Sequence, residues 1–278
     1  MKRYKQIESE SPENFKRLTG LSKENFQHLH NKTDIYIKAE KERNPLKKRG
    51  KQTSELSLED RILLTIYYLR HYPTFANLAD VFNISESYCN KIYSRYSQIL
   101  VKVETLPNRK ETLENPSDTV IIDVTEQPIE RPVKGQKSYY SGKKKRHTIK
   151  VQILASCIGK ILSVDCAKGK QHDFSIFKES DVLIQPDSEL LADSGYQGIK
   201  KYHENSVIPI KKKKGIPRTV EAKAHNRMLS KRRVLIENIN RLCKIFRCVK
   251  EVYRGKHKNY GLTWRLVAAL VNLRTCSI

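Results

Sequence analysis

The stretch Thr119-Val120-Ile121-Ile122-Asp123-Val124 is a short β-branched apolar run interrupted by one carboxylate. Such a run reads as a buried strand. A polar connector, Leu106–Ser117 with Pro107 and Pro116, precedes it. Beyond it, His147–Ser156 (HTIKVQILAS) and Ile161–Ala167 (ILSVDCA) read as two further strands. Cys157–Lys160, which contains Gly159, turns between them as a hairpin. Asp173–Ser180 reads as a short helix capped by Asp173. Glu189–Asp193 is another short buried strand, ended by Ser194-Gly195, and Val207–Ile210 is one more, closed by Pro209 and a lysine run. A long helix is expected from Thr219 to about Val249, and an amphipathic helix after Gly261. Strands first and helices later indicate an α/β domain with a mixed sheet flanked by helices.

Upstream the periodicity is helical. Residues 1–40 are polar, with apolar anchors Phe15, Leu18, Leu21, Phe26 and Leu29 that fit short helices. Lys41–Lys51 (KERNPLKKRGK) is a basic linker, a solvated connector that can also lie on DNA phosphates. Ser57 or Thr53 can cap a helix through Leu58, Ile62, Leu63, Ile66 and Leu69, and Pro73 stops it. Thr74 can cap a second helix, Phe75–Phe82. Asn83-Ile84-Ser85 is a tight turn, and Ser85 can cap a third helix, Glu86–Val101. That is the plan of a helix-turn-helix. Leu78, Ala79, Phe82 and Ile84 supply its core, with Tyr88 and Ile92 packed behind. Ser87, Asn90, Lys91, Ser94 and Arg95 remain as candidates for DNA contact. A plain three-helix bundle with no groove contact explains the same pattern. The charge separates the two.

The 278 residues carry 54 Lys+Arg against 30 Asp+Glu, a formal net charge of +24. A field this positive attracts polyanions, nucleic acid first and an anionic membrane surface second. No apolar run approaches the ~18–20 residues of a membrane span, and the first residues lack the apolar stretch of a signal peptide. The six Cys include no C-x-x-C pair, which argues against a structural zinc site and a disulfide scaffold. A cytoplasmic protein with reduced cysteines is expected.

Against this basic background, acids that interrupt apolar strands stand out. Asp123 is costly to bury ionised unless paired or metal-bound. Asp193 closes a strand and is followed by Ser194-Gly195, where α/β sheets build sites. Each taken alone also reads as a loop cap. On the long helix, Leu235, Ile239, Leu242, Phe246 and Val249 form one stripe, expected to be buried. Arg233, Glu237, Asn240 and Lys244 repeat the same spacing on the opposite face. By itself that face is a solvated one with an Arg–Glu pair. Two strand carboxylates and one helix carboxylate together suit divalent cations and phosphodiester chemistry.

These residues resemble a known family. IIDVTEQPIERP (121–132), YYSGKKKRHTIKVQ (139–152), GKQHDFSIFKES (169–180), LLADSGYQGI (190–199) and NRMLSKRRVLIENINRLCKIF (226–246) resemble the DDE transposase domain of bacterial insertion sequences, in the group related to Harbinger transposases. Residues 57–93 are similar to the helix-turn-helix preceding that domain, and NFKRLTGLSKENF (14–26) to the family's opening segment. The resemblance implies an RNase H-like fold over residues 116–278, a helix-turn-helix domain over 53–105, and an N-terminal helical segment with its linker over 1–52. It implies a metal-binding triad of Asp123, Asp193 and Glu237, with two Mg²⁺ or Mn²⁺ ions and Asp123 bridging them. Arg233 and Lys244 match the family's helix pattern and Asn240 lies on the same face, whereas Ser230 departs from the Tyr common there. His172-Asp173 also matches; Asp173 is expected to cap its helix, with His172 a candidate to line the site. Tyr196 reads equally as a core residue and as a phosphate contact. Eight Lys/Arg between 131 and 150, Lys143, Lys144, Lys145 and Arg146 among them, and the lysines at 211–214 read as loops that hold phosphate without reading sequence.

The implied protein is a transposase. It binds double-stranded DNA at terminal inverted repeats, cuts it, joins the freed 3′-hydroxyl to target DNA, and works as a homodimer or larger, with no membrane partner. The alternative is a catalytically silent DNA-binding relic acting as a regulator. An RNA-binding protein is a third reading, without a recognition motif and with the carboxylates unexplained.

Overall fold

The computed structural model describes residues 3–44, 56–114, 117–180, 182–212, 215 and 217–275, with the side chains of 109, 110 and 113 left aside. The basic stretch 45–51, Thr53, Pro116 and two lysines of the 211–214 run lie outside the described residues. The helices are α1 (Tyr4–Glu8), α2 (Pro12–Thr19), α3 (Lys23–Arg43), α4 (Leu58–His71), α5 (Phe75–Phe82), α6 (Glu86–Val103), α7 (Arg109–Glu114), α8 (Gln136–Tyr139), α9 (Asp173–Glu179), α10 (Val220–Lys244) and α11 (Tyr260–Thr275). The strands are β1 (Thr119–Pro128), β2 (Tyr140–Ser141), β3 (Arg146–Ser156), β4 (Ile161–Lys168), β5 (Glu189–Leu191) and β6 (Ser206–Val207). Among the described residues no helix is long and apolar enough to cross a membrane.

The chain forms two compact units. The first gathers the described residues of Met1–Thr105 with Lys244–Lys250 and Leu262–Ile278; the second holds Leu106–Cys243 and Glu251–Gly261. In the first unit the starts of α4, α5 and α6 are each stated by the residue before them. Ser57 accepts from the Asp60 amide, Thr74 from Asn77, and Ser85 from Tyr88, at 3.2, 3.2 and 3.3 Å. Asn83, with φ of 51°, ends α5 in the left-handed conformation that Asn tolerates, which turns the chain sharply into α6. Leu78, Ala79 and Phe82 are buried, as is Ile92, while Tyr88 and Ile84 are half-buried. The inner face of α6 also carries Cys89 and Tyr96, and the Arg61 guanidinium donates to the Tyr96 hydroxyl at 3.1 Å. Phe15 and Phe26 pack with Tyr4, which stacks on Phe26 at 4.8 Å. α11 differs from expectation. Trp264 and Leu266 through Val271 are all buried, so it is apolar nearly all round rather than amphipathic.

In the second unit β1 is the spine. It runs antiparallel to β3, which runs antiparallel to β4, and parallel to β5, which pairs parallel with β6. β2 extends the sheet at the start of β3. This mixed order, with helices packed around it, agrees with the expected α/β nuclease architecture. β1 alternates strictly, so Val120, Ile122 and Val124 share one face. There they pack with Leu154, Leu190, Ala192, Tyr196, Ile199, Phe174 and Phe177. Asp123 and Gln127 face the other way, toward α10 and Tyr260, whose hydroxyl donates to Gln127 at 2.9 Å.

Two expectations about helices are corrected. α10 ends at Lys244, and Arg247–Val249 is a short 3₁₀ turn. Its buried residues are Ala222, Leu229, Ile236, Ile239, Asn240 and Cys243; of the expected stripe Ile239, Phe246 and Val249 are buried, while Leu235 and Leu242 are only half-buried. This rotation brings Arg233 and Asn240 against the sheet instead of opposite it. The helix α7 also occupies part of the stretch expected to be an irregular connector.

Candidate active site

Register relates the two aspartates. β1 and β5 pair through Ile121↔Leu191. Two residues beyond that pair are Asp123, still within β1, and Asp193, just past the end of β5. The Asp193 carboxylate turns back to accept the Gly195 amide at 2.6 Å. α10 lies against Asp123. Asn240 Nδ2 donates to Asp123 Oδ2 at 2.9 Å, and an Arg233 guanidinium nitrogen lies 3.3 Å from Oδ1. Helix position alone makes Asn240 a candidate, and the fold buries it directly on the carboxylate. Glu237 occupies the turn between Arg233 and Asn240 and is exposed. Lys244 groups with the first unit.

Burial pushes the Asp123 carboxyl up from its ordinary value to about 6. Arg233 opposes the shift, while the charges of Asp193 and Asp173 add to it. The site thus stores negative charge in a half-buried position.

Asp173 and His172 exchange the roles expected of them. His172 Nδ1 accepts the Phe174 amide at 3.3 Å, so His172 caps α9. Asp173 turns to Lys150 on β3, whose ammonium lies 2.7 Å from Asp173 Oδ1 and 2.8 Å from the Gln171 carbonyl. Lys150 therefore leaves the basic stretch expected to hold phosphate; its partner is internal. The sequence signal for this is a lysine set between Ile149 and Val151 in a strand. An inward cation needs an acid.

Tyr196, open in the sequence between core and site, is 1% exposed, and its hydroxyl has no hydrogen-bond partner. Burial first, then the fields of Asp173, Asp123 and Asp193, raise its pKa well above the usual phenol range.

The donor set suits a hard divalent cation. Its oxygens belong to carboxylates that repel one another. A β-carbon added at Gly195 would stand 2.8 Å from Asp193 Oδ1 and 3.8 Å from Asp173 Oδ2, so the absence of a side chain leaves a cradle between two carboxylates. The buried Asn240 Oδ1 beside Asp123 is also without a donor. Among the described residues, no three His, Cys, Asp or Glu side chains converge as they stand into a finished ion site. Asp123 is occupied by Arg233 and Asn240 instead.

Of the cationic candidates, Lys143, Lys144, Lys145 and Arg146 form an exposed turn leading into β3, with Lys145 at φ of 53°. In the first unit, Ser87, Asn90, Lys91, Ser94 and Arg95 are all exposed on one side of α6.

Comparisons with known proteins identify the family. Residues 122–272 match the family described as DDE superfamily endonuclease, and residues 54–103 match the helix-turn-helix of DDE superfamily endonuclease. The chain is 38% identical over 264 residues, 93% of each chain, to the probable transposase for insertion sequence element IS702 of Microchaete diplosiphon. A match of that extent covers the helical unit and the sheet together. The chain therefore belongs to the DDE superfamily of endonucleases, as a transposase carrying that superfamily's helix-turn-helix ahead of its nuclease domain.

Proposed function

We propose that the protein binds the terminal inverted repeats of its element, cuts the DNA at the element ends, and transfers the freed ends to a target. The observation that supports this reading is that Asp123 and Asp193 each lie two residues beyond the last parallel pair of β1 and β5, Ile121↔Leu191, with Arg233 and Asn240, from the helix that also carries Glu237, on the Asp123 carboxylate. Asp123, Asp193 and Glu237 would hold two Mg²⁺ or Mn²⁺ ions, with Asp123 shared. Bound there, such ions supply an activated oxygen nucleophile and charge neutralisation at the leaving oxygen. In the first step, water oxygen bonds to phosphorus and the P–O3′ bond breaks. The element end keeps a 3′-hydroxyl and the flank keeps a 5′-phosphate. In the second, that hydroxyl attacks a target phosphodiester, and a target 3′-oxygen leaves with a proton. Arg233, now on Asp123, is placed to shift to a phosphate oxygen once the carboxylate is otherwise neutralised. The exposed cations Lys143 through Arg146 hold the backbone in register. The exposed side of α6, with Ser87, Asn90, Lys91, Ser94 and Arg95, reads the repeat in the major groove. Two ends must be handled together, so a dimer or larger assembly on DNA is expected.

The engagement of Asp123 by Arg233 and Asn240 favours a second reading, a DNA-binding relic without catalysis. One experiment separates them. DNA carrying the repeats is incubated with Mg²⁺ and wild-type, Asp123→Ala or Glu237→Gln protein. Glu237 is exposed, so the Gln variant keeps the fold. Cutting by the wild type alone supports the transposase reading. Equal, background cutting by all three folded, DNA-bound proteins establishes the relic.

A further inference from the structure

We propose that Asp173 is an additional ligand for a divalent cation, acting through Oδ2 beside Asp193, with the Tyr196 hydroxyl donating to an oxygen in the cation's shell. This rests on the reading of Asp123 and Asp193 as a cation site, and it adds a residue outside the triad.

Four observations converge. Asp173 is not needed for its helix, because His172 caps α9. Its carboxylate is nevertheless fixed: Lys150 grips Oδ1 at 2.7 Å, and Lys150 is itself anchored to the Gln171 carbonyl at 2.8 Å. That grip leaves Oδ2 directed at the Gly195 cradle, 3.8 Å from where a β-carbon would stand, with Asp193 Oδ1 on the other side at 2.8 Å. Two carboxylates facing one gap repel unless a cation lies between them. Lastly, the Tyr196 hydroxyl is buried, lacks a partner, and feels Asp173 more strongly than either Asp123 or Asp193. A buried hydroxyl without a partner is costly, so an acceptor supplied by a bound ion's shell would relieve it.

The arrangement gives Lys150 and Gly195 definite duties. Lys150 orients a ligand, as hydrogen-bonded neighbours orient ligands in metal sites. Gly195 keeps the gap open. Its φ is not in the left-handed region, so an Ala there is tolerated by the backbone and fills the gap.

The test is Mn²⁺ titration of the full chain by electron paramagnetic resonance, in the absence of DNA, for wild type, Asp173→Asn and Gly195→Ala. Thermal melts in chelator and in Mn²⁺ accompany it. Both variants are expected to bind Mn²⁺ about tenfold more weakly, with a smaller Mn²⁺-induced rise in Tm; in chelator Asp173→Asn melts lower, because Lys150 loses its charge partner. Affinities within twofold of wild type for both variants would overturn the proposal. So would a wild type that binds no Mn²⁺, or variants that lose Tm in chelator while keeping the full Mn²⁺ response, since that is a purely structural role. Gly195→Ala also moves the Asp193 carboxylate, 2.8 Å from the added β-carbon, so Asp173→Glu, which keeps a charge for Lys150 while displacing the carboxylate, decides the matter where Asp173→Asn fails to fold. DNA cleavage is scored separately. A protein that binds Mn²⁺ through Asp173 but never cuts keeps this inference and loses the transposase reading; one that cuts while Asp173→Asn binds normally does the reverse.

Discussion

Replacing Asp123 by Asn is expected to stabilise the metal-free protein at neutral pH. Burial and the nearby aspartates raise the Asp123 carboxyl from 3.8 to about 6. That difference corresponds to about 3 kcal/mol of preference for the neutral form in the folded state. Because the folded-state value is the higher one, the folded chain holds an extra proton between those two pH values. The associated stability is fully present below pH 3.8 and is lost as pH rises through about 6. An Asn keeps the shape without the charge. The shift to about 6 already includes the opposing pull of Arg233, so the net gain at pH 7.5 is on the order of 3 kcal/mol. At pH 4 the gain vanishes, since the wild-type carboxyl is then protonated in the fold. The assay is urea denaturation in chelator across pH 4–8, comparing midpoints at unchanged slope. The quantity of interest is the difference between the two pH profiles. Parallel profiles, or an Asn variant that weakens as pH rises, would show that the field around Asp123 is not the one described.

Removing Lys91 or Arg95 from the exposed side of α6 is expected to weaken binding of repeat DNA and to lower the salt slope of log K by about one for each phosphate that is no longer neutralised; an unchanged slope in fluorescence anisotropy would place the DNA elsewhere. Ser85→Ala loses the cap on α6 and is expected to cost ~1 kcal/mol of stability, read as a shifted denaturation midpoint. Phe82→Ala opens a hole under α5 where the side chain is fully buried, and a loss of ~3–5 kcal/mol is expected, with loss of DNA binding in the same preparation.

What is legible in the sequence is local. Thr74 and Ser85 cap the helices they precede, and Asn83 supplies the left-handed residue between them, so the helix-turn-helix follows from adjacent residues. The β-branched run at 119–124 declares β1, because its neighbours on both sides of the sheet need the same surface. Tertiary packing decides the rest. α10 offers two apolar stripes one residue apart, at Leu235 and Ile236, and only the sheet beneath it chooses the second. His172 and Asp173 can each cap α9. The choice falls to His172 because Lys150, more than twenty positions earlier, claims the aspartate. Tyr196 cannot be assigned from sequence at all, since its meaning lies in three carboxylates from three separate elements.

The grouping of residues 244–250 and 262–275 with the N-terminal helices has a consequence for how the molecule is made. The helices α4 to α6 are synthesised well before α11, which belongs to the same unit. During translation the reading face lacks its final partners until α11 appears. A chain cut short after Glu237 retains the sequence of the helix-turn-helix yet forfeits Trp264 and the buried helix around it. A truncated chain therefore keeps the sequence of the helix-turn-helix without the whole unit to which it belongs.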